Sequence, residues 1–189
     1  MIKRMTSAVG LSALALVAVG LWPATAAAEE RVCRGTIGAK TLDNVRVPQS
    51  ATCVLDGTYV KGTVKVERGA TLRAVGVRVI GNVQGENARR VNVVQGSRVG
   101  GSVQVVQGGG ARVADSRITG DILYDENNAP LYALRSRIGG NVQAFQNTGG
   151  VEIRRNVIDG NLQCKANQPR PTGGGNTVGG NKEDQCARL

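Results

Sequence analysis

Histidine is absent from this chain of 189 residues. Serine, cysteine and lysine nucleophiles therefore lack their usual imidazole base, and a Cys–His zinc site loses half of its ligands. Aromatic residues are scarce, 3% of the sequence, with one Trp and one Phe. That disfavours neutral-glycan sites built on aromatic platforms. No phosphate-loop or dinucleotide motif occurs. Sustained helical spacing is missing as well, and after Trp22 there is no second long apolar run.

The one apolar run has a familiar context. Lys3 and Arg4 precede it, Ala8 to Trp22 form an uncharged core, and Ala24-Thr25-Ala26-Ala27-Ala28 lead to Glu29-Glu30. This is the layout of a secretory signal peptide over residues 1–28, with cleavage expected near Ala26 to Ala28. The apolar stretch falls short of the ~20 residues a span needs, and Pro23 interrupts it. The mature chain is therefore expected to be exported, secreted or wall-associated, and to lack a membrane span. Loss of Lys3 and Arg4 takes the net charge from +10 to +8. A basic exported protein favours anionic partners such as wall polymers, matrix polysaccharide or lipid head groups, although basic charge also serves solubility.

Only four cysteines are present. Outside the cytoplasm an even number reads as disulfides. Cys33 and Cys53 are 20 residues apart, Cys164 and Cys186 are 22 apart. Each pair is separated by about one repeat, which puts its members in adjacent coils at ~4.8 Å, within disulfide reach. The pairs Cys33–Cys53 and Cys164–Cys186 are expected, one staple at each end. Zinc is the alternative, without CxxC spacing or histidine to support it.

What the chain has in abundance is a repeat. Gly62, Gly81, Gly101, Gly120, Gly140, Gly160 and Gly180 follow at intervals of 19 or 20 residues, each just ahead of a polar residue and then, up to Gly160, an aliphatic one. A short, even period means a stacked solenoid whose repeats bury their apolar sides against one another. Each unit holds three short stretches of apolar/polar alternation between Gly and Asn corners, and period two means strands with one face inward. Val64, Val83, Val103, Ile122, Val142 and Leu162 read as one inward column; Leu72, Val91, Ala111, Leu131 and Val151 read as another. Gly69, Ala88, Gly108, Asn127, Asn147 and Asn167 read as a corner with left-handed backbone. Ser97, Ser116, Ser136, Asn156 and Asn176, like Asn82, Ser102, Asp121, Asn141, Asn161 and Asn181, read as stacked polar ladders.

The expectation is an all-β, parallel β-helix of about six coils, ~30 Å long at ~4.8 Å per coil. A right-handed solenoid is expected, because units of 19 or 20 residues do not divide into the three six-residue sides of left-handed hexapeptide solenoids. Residues 29–60 read as an N-terminal cap, 61–164 as the β-helix repeats and 165–189 as a C-terminal cap, with Pro169 and Pro171 blocking strand pairing. Capped ends imply a monomer; loose ends would allow end-to-end association.

The phrases Gly140-Asn141-Val142-Gln143 and Gly160-Asn161-Leu162-Gln163, with the ending Gly179-Gly180-Asn181-Lys182-Glu183-Asp184-Gln185-Cys186, resemble the right-handed β-helices of the pectate-lyase-like superfamily. More closely they resemble small secreted bacterial β-helix repeat proteins of unassigned function. The bactofilins are similar in G-x-V periodicity, but they are cytoplasmic polymers, and the leader and cysteines here depart from that pattern. The resemblance implies the fold across the mature chain and says little about activity.

Three sets of residues are candidates for chemistry. Arg78, Arg98, Arg117 and Arg137 each stand three residues before a repeat glycine and point outward as a column. Such a row suits a polyanion through bidentate contacts to phosphate, sulfate or carboxylate, and Arg135, Arg154 and Arg155 would widen it. A solvated charged face is the plainer alternative. Gln84, Gln104, Gln143 and Gln163, interrupted by Leu123, read as an outward amide ladder. Asp115, Asp121, Asp125 and Glu126 are the only dense acidic group. Lyases and hydrolases of the resembled fold need converging carboxylates, but Asp121 falls at a ladder position and Asp125 and Glu126 in a corner turn. The chain is thus expected to be non-enzymatic, without cofactor, metal or specific nucleic-acid partner, and to bind an anionic envelope or extracellular polymer through the arginine column. A purely structural or self-associating surface protein is the alternative, and polysaccharide cleavage by fold analogy the second.

Overall fold

The computed structural model describes residues 29–189, and the leader read over 1–28 lies outside them. All strands are parallel, and every pairing joins one coil to the next. They form a β-solenoid of about eight turns. One sheet has nine strands, running from Glu30–Val32 to Lys182–Asp184. The second has eight, from Gly35–Ile37 to Thr172–Gly174. The third also has eight, from Thr41–Leu42 to Thr177–Val178, each two residues long. These are called here the nine-stranded, the wide and the short-strand sheets.

The inward columns are those the alternation implies. Val64, Val83, Val103, Ile122, Val142 and Leu162 are paired coil to coil and fully buried. Leu72, Val91, Ala111, Leu131 and Val151 do the same in the wide sheet. Apolar side chains from all three sheets meet in one continuous core. Tyr124 is buried within it and donates its hydroxyl to the Tyr132 carbonyl oxygen at 2.9 Å. Both disulfides form as expected, with Cα–Cα separations of 5.6 Å for Cys33–Cys53 and 5.2 Å for Cys164–Cys186. All four cysteines are buried in the core near its two ends.

The turn count exceeds the six coils expected because the terminal segments are also wound. Residues 29–60 add strands to all three sheets, through alternations such as Val45/Val47 and Cys53/Leu55. Residues 165–189 add Thr172–Gly174, Thr177–Val178 and Lys182–Asp184 before a closing turn in which Leu189 packs on the core.

Of the corner expected to be left-handed, Gly69 has positive φ, but in the later coils the left-handed residue falls one earlier. Positive φ there belongs to Asn87, Gln107, Glu126, Gln146 and Ala166, not to Ala88, Gly108, Asn127, Asn147 and Asn167. Those three asparagines are buried and form a ladder instead. The Asn147 side-chain oxygen accepts from the Asn127 backbone and side-chain amides at 2.9 and 3.0 Å, and Asn167 serves Asn147 likewise at 3.1 and 2.8 Å. The ladder satisfies backbone N–H groups that the turn leaves without a sheet partner. A second buried ladder runs through Ser136, Asn156 and Asn176. At the third corner the direction reverses: the Ser102 backbone donates to Asn82, Asn141 to Asp121 and Asn161 to Asn141, so each side chain serves the following coil.

The repeat glycines stand at this third corner with ordinary negative φ. Their requirement is room. A Cβ on Gly81 would lie 2.7 Å from the Gly62 carbonyl oxygen, and one on Gly160 would lie 2.6 Å from the Asn141 side-chain oxygen.

Candidate functional site

The short-strand sheet presents one residue outward and one inward per strand. Arg78, Arg98, Arg117 and Arg137 are the outward residues of four successive strands, each exposed beside a buried Val79, Val99, Ile118 or Ile138. Their pairing is in strict register, Arg78 to Arg98 to Arg117 to Arg137. One coil spacing of about 4.8 Å therefore separates neighbouring Cα atoms. Tyr59 precedes the row in register, and the Arg78 guanidinium lies 5.4 Å from its ring centroid. Val157 follows the row, 37% exposed.

The arginines line a groove of about 760 Å³. Ile80, Gly100 and Thr119, two residues beyond their arginines, form a low strip along it. The opposite wall comes from the corner that joins the wide and short-strand sheets. There Gln95 and Gly96 both adopt positive φ, where the equivalent corners carry the single residues Asp115 and Arg135. Asp115 is the one carboxylate among the lining residues, and Arg135 holds it by two hydrogen bonds of 2.7 Å. That contact, with charge attraction from Arg135 and Arg112, keeps the Asp115 carboxyl below the usual aspartate range. Among the described residues the five ion pairs involve Arg46, Lys61, Arg135 and Arg154, and none of the four column arginines.

Of the arginines expected to widen the row, only Arg135 lines the groove, and it is committed to Asp115. Arg154 pairs with Glu152 at the end of a wide-sheet strand, and Arg155 occupies a left-handed corner position. Arg154 precedes that corner, and Arg155 stands at it one coil beyond Arg135, where the facing short strand carries Val157 instead of an arginine.

The glutamine row is in register on the nine-stranded sheet. Gln84 donates to Gln104 at 3.2 Å and Gln143 to Gln163 at 2.8 Å, with Leu123 breaking the chain of amides. The four carboxylates of the acidic group do not converge. Asp115 stands at the corner between the wide and short-strand sheets, Asp121 at the corner of the repeat glycines, and Asp125 and Glu126 at the corner before the wide sheet. Asp121 accepts from the Asn141 backbone and side-chain amides, at 2.6 and 3.2 Å. Asp125 has one buried oxygen without a hydrogen-bond partner, and burial, with the nearby Glu126 charge, raises its carboxyl above the usual range. No group of three or more Cys, Asp or Glu side chains is placed to hold a metal among the described residues.

Comparison of the chain with family models, curated proteins and solved structures gave no match.

Proposed function

We propose that this is a secreted, non-enzymatic β-solenoid that binds an anionic envelope or extracellular polymer along the groove of Arg78, Arg98, Arg117 and Arg137. One observation carries the reading. Four exposed guanidinium groups stand in register along one sheet, and among the described residues none of them is in an ion pair. Arginine offers a planar donor fork to phosphate, sulfate or carboxylate, so a row of forks at constant spacing favours a chain of repeated anions over one small anion. The leader-like start and the two buried disulfides support export to an oxidising compartment.

The test is retention of the protein on purified cell walls and on soluble polyanions across a salt series, beside a variant with all four arginines changed to Gln. Binding should fall steeply with salt and weaken by a similar step for each arginine removed. Salt-sensitive binding that survives the fourfold variant would move the site elsewhere.

A further inference from the structure

The outward face of the nine-stranded sheet carries two rows whose order is self-complementary about one coil. The first row, in register, begins with Val32 and Arg46, which overhang the symmetric part, and then reads Lys65, Gln84, Gln104, Leu123, Gln143, Gln163, Glu183. The second, two residues further along each strand, reads Glu86, Val106, Asp125, Phe145, Lys165. The run from Lys65 to Glu183 and the second row are both centred on the strand Ile122–Asp125. Reversed, the first row places Lys65 against Glu183, Gln84 against Gln163, Gln104 against Gln143 and Leu123 against itself. The second places Glu86 against Lys165 and Val106 against Phe145.

We infer that this face pairs with a second copy of the chain, the two solenoids antiparallel, about a two-fold axis that runs along Ile122–Asp125 in the plane of contact. Such an axis keeps each row opposite its own copy and reverses its order, which is the requirement of an isologous interface. Each dimer gains four cross-pairs of opposite charge from side chains that have no ion-pair partner in their own chain: Lys65, Glu86, Lys165 and Glu183 all fall outside the ion pairs among the described residues. Val106, Leu123 and Phe145 are half-buried and supply the apolar centre. The alternative two-fold axis, parallel to the solenoid, sets Gln163 against Lys165 and Leu123 against Asp125 and loses these matches.

One group resists the arrangement. Asp125 faces its own copy across the axis, with an oxygen already buried and unpartnered. The face is also small. Seven overlapping strands at ~4.8 Å and four residues at ~3.3 Å make roughly 450 Å² per copy, below the ~800 Å² of a standard interface. The association is therefore a weak, reversible dimer rather than an obligate one. Its arginine grooves lie on a different sheet and stay open, so one dimer offers two polyanion sites.

Sedimentation equilibrium of the protein over a micromolar to millimolar range reads the association directly. A monomer–dimer equilibrium is expected, weakened at least tenfold by Lys65→Glu. Combining Lys65→Glu with Glu183→Lys should restore it, because each swapped residue again meets its opposite; this rescue separates the contact from any effect on folding. Asp125→Asn should tighten the dimer. Monomer throughout the range, mass growing past the dimer, or a dimer indifferent to Lys65→Glu would each overturn the inference.

Discussion

Arg135 holds the carboxylate of Asp115, one coil before it, through two parallel hydrogen bonds of 2.7 Å. Each partner keeps close to half of its side chain in solvent. The pair thus belongs to the groove wall rather than the core, and it removes one cation from the row that would otherwise face a polyanion. Asp115→Asn should release Arg135 into the groove and delete its only lining carboxylate. Affinity for a soluble polyanion is expected to rise several-fold at low salt, with the salt dependence steeper by about one released counterion. Anisotropy titrations at a series of salt concentrations measure both quantities. Unchanged affinity would mean that the bound chain does not reach the corner.

Two carboxylates of one coil should respond to acid in opposite directions. The Asp115 carboxyl lies below its unfolded value, chiefly through the Arg135 contact, so its stabilising contribution is present above about pH 4 and fades as pH falls through the folded value. Asp125 lies above its unfolded value, because burial disfavours its charge. It destabilises at neutral pH and ceases to do so once protonated. Asp125→Asn is therefore expected to raise the melting temperature at pH 7 by about 1–3 °C, with the gain gone below about pH 3, where both forms are neutral. Thermal denaturation of the two proteins at pH 7 and pH 3 decides the sign.

The repeat glycines invite a steric test. A Cβ on Gly140 would press into the Asp121 carboxylate and lie 3.0 Å from the Gly120 backbone carbon. Gly140→Ala should destabilise by about 1–3 kcal/mol through overpacking. Gly38 has open space around its Cβ position and no positive φ, so Gly38→Ala should change stability by less than about 0.5 kcal/mol. Urea denaturation of both variants compares them. Equal effects would mean that the glycine is kept for the unfolded chain rather than for coil contact.

The same crowding explains which parts of the solenoid the sequence reveals. Between Gly62 and Gly180 every coil stacks on a complete neighbour, so the glycine is obligatory and the period is visible. Asp43 occupies the corresponding position in the first turn, where, among the described residues, the short-strand sheet has no earlier strand than Thr41–Leu42. Without that contact the position tolerates a side chain, so the coils before residue 60 lack the glycine signature while keeping the alternation of Val45 and Val47. The corner error has a related origin. Asparagine suits both a left-handed turn and a buried amide ladder, and Asn127 and Asn147 are kept by the ladder, while Glu126 and Gln146 tolerate the turn. The arginine column was legible because period two on a two-residue strand leaves one outward position. The groove beside it was not, since its wall depends on how the wide and short-strand sheets meet at Gln95–Gly96.

The disulfides should matter most at the ends they close. A solenoid coil is held only by its neighbours, so a terminal coil has half the support of a central one. Cys33–Cys53 ties the first turn to the second across 20 residues, and Cys164–Cys186 fastens the closing turn across 22. Each loop of this size is worth about 3 kcal/mol through the unfolded state. If opening is local, replacing Cys33 and Cys53 by Ser leaves the central coils intact and frees the first strands to open. Backbone amides of Val45 and Val47 should then exchange about a hundredfold faster, while those of Val103 and Val105 change little. Hydrogen exchange resolved by residue reads this gradient. Uniform acceleration along the chain would instead show that the eight turns unfold as one cooperative unit, with the staple stabilising all of them together.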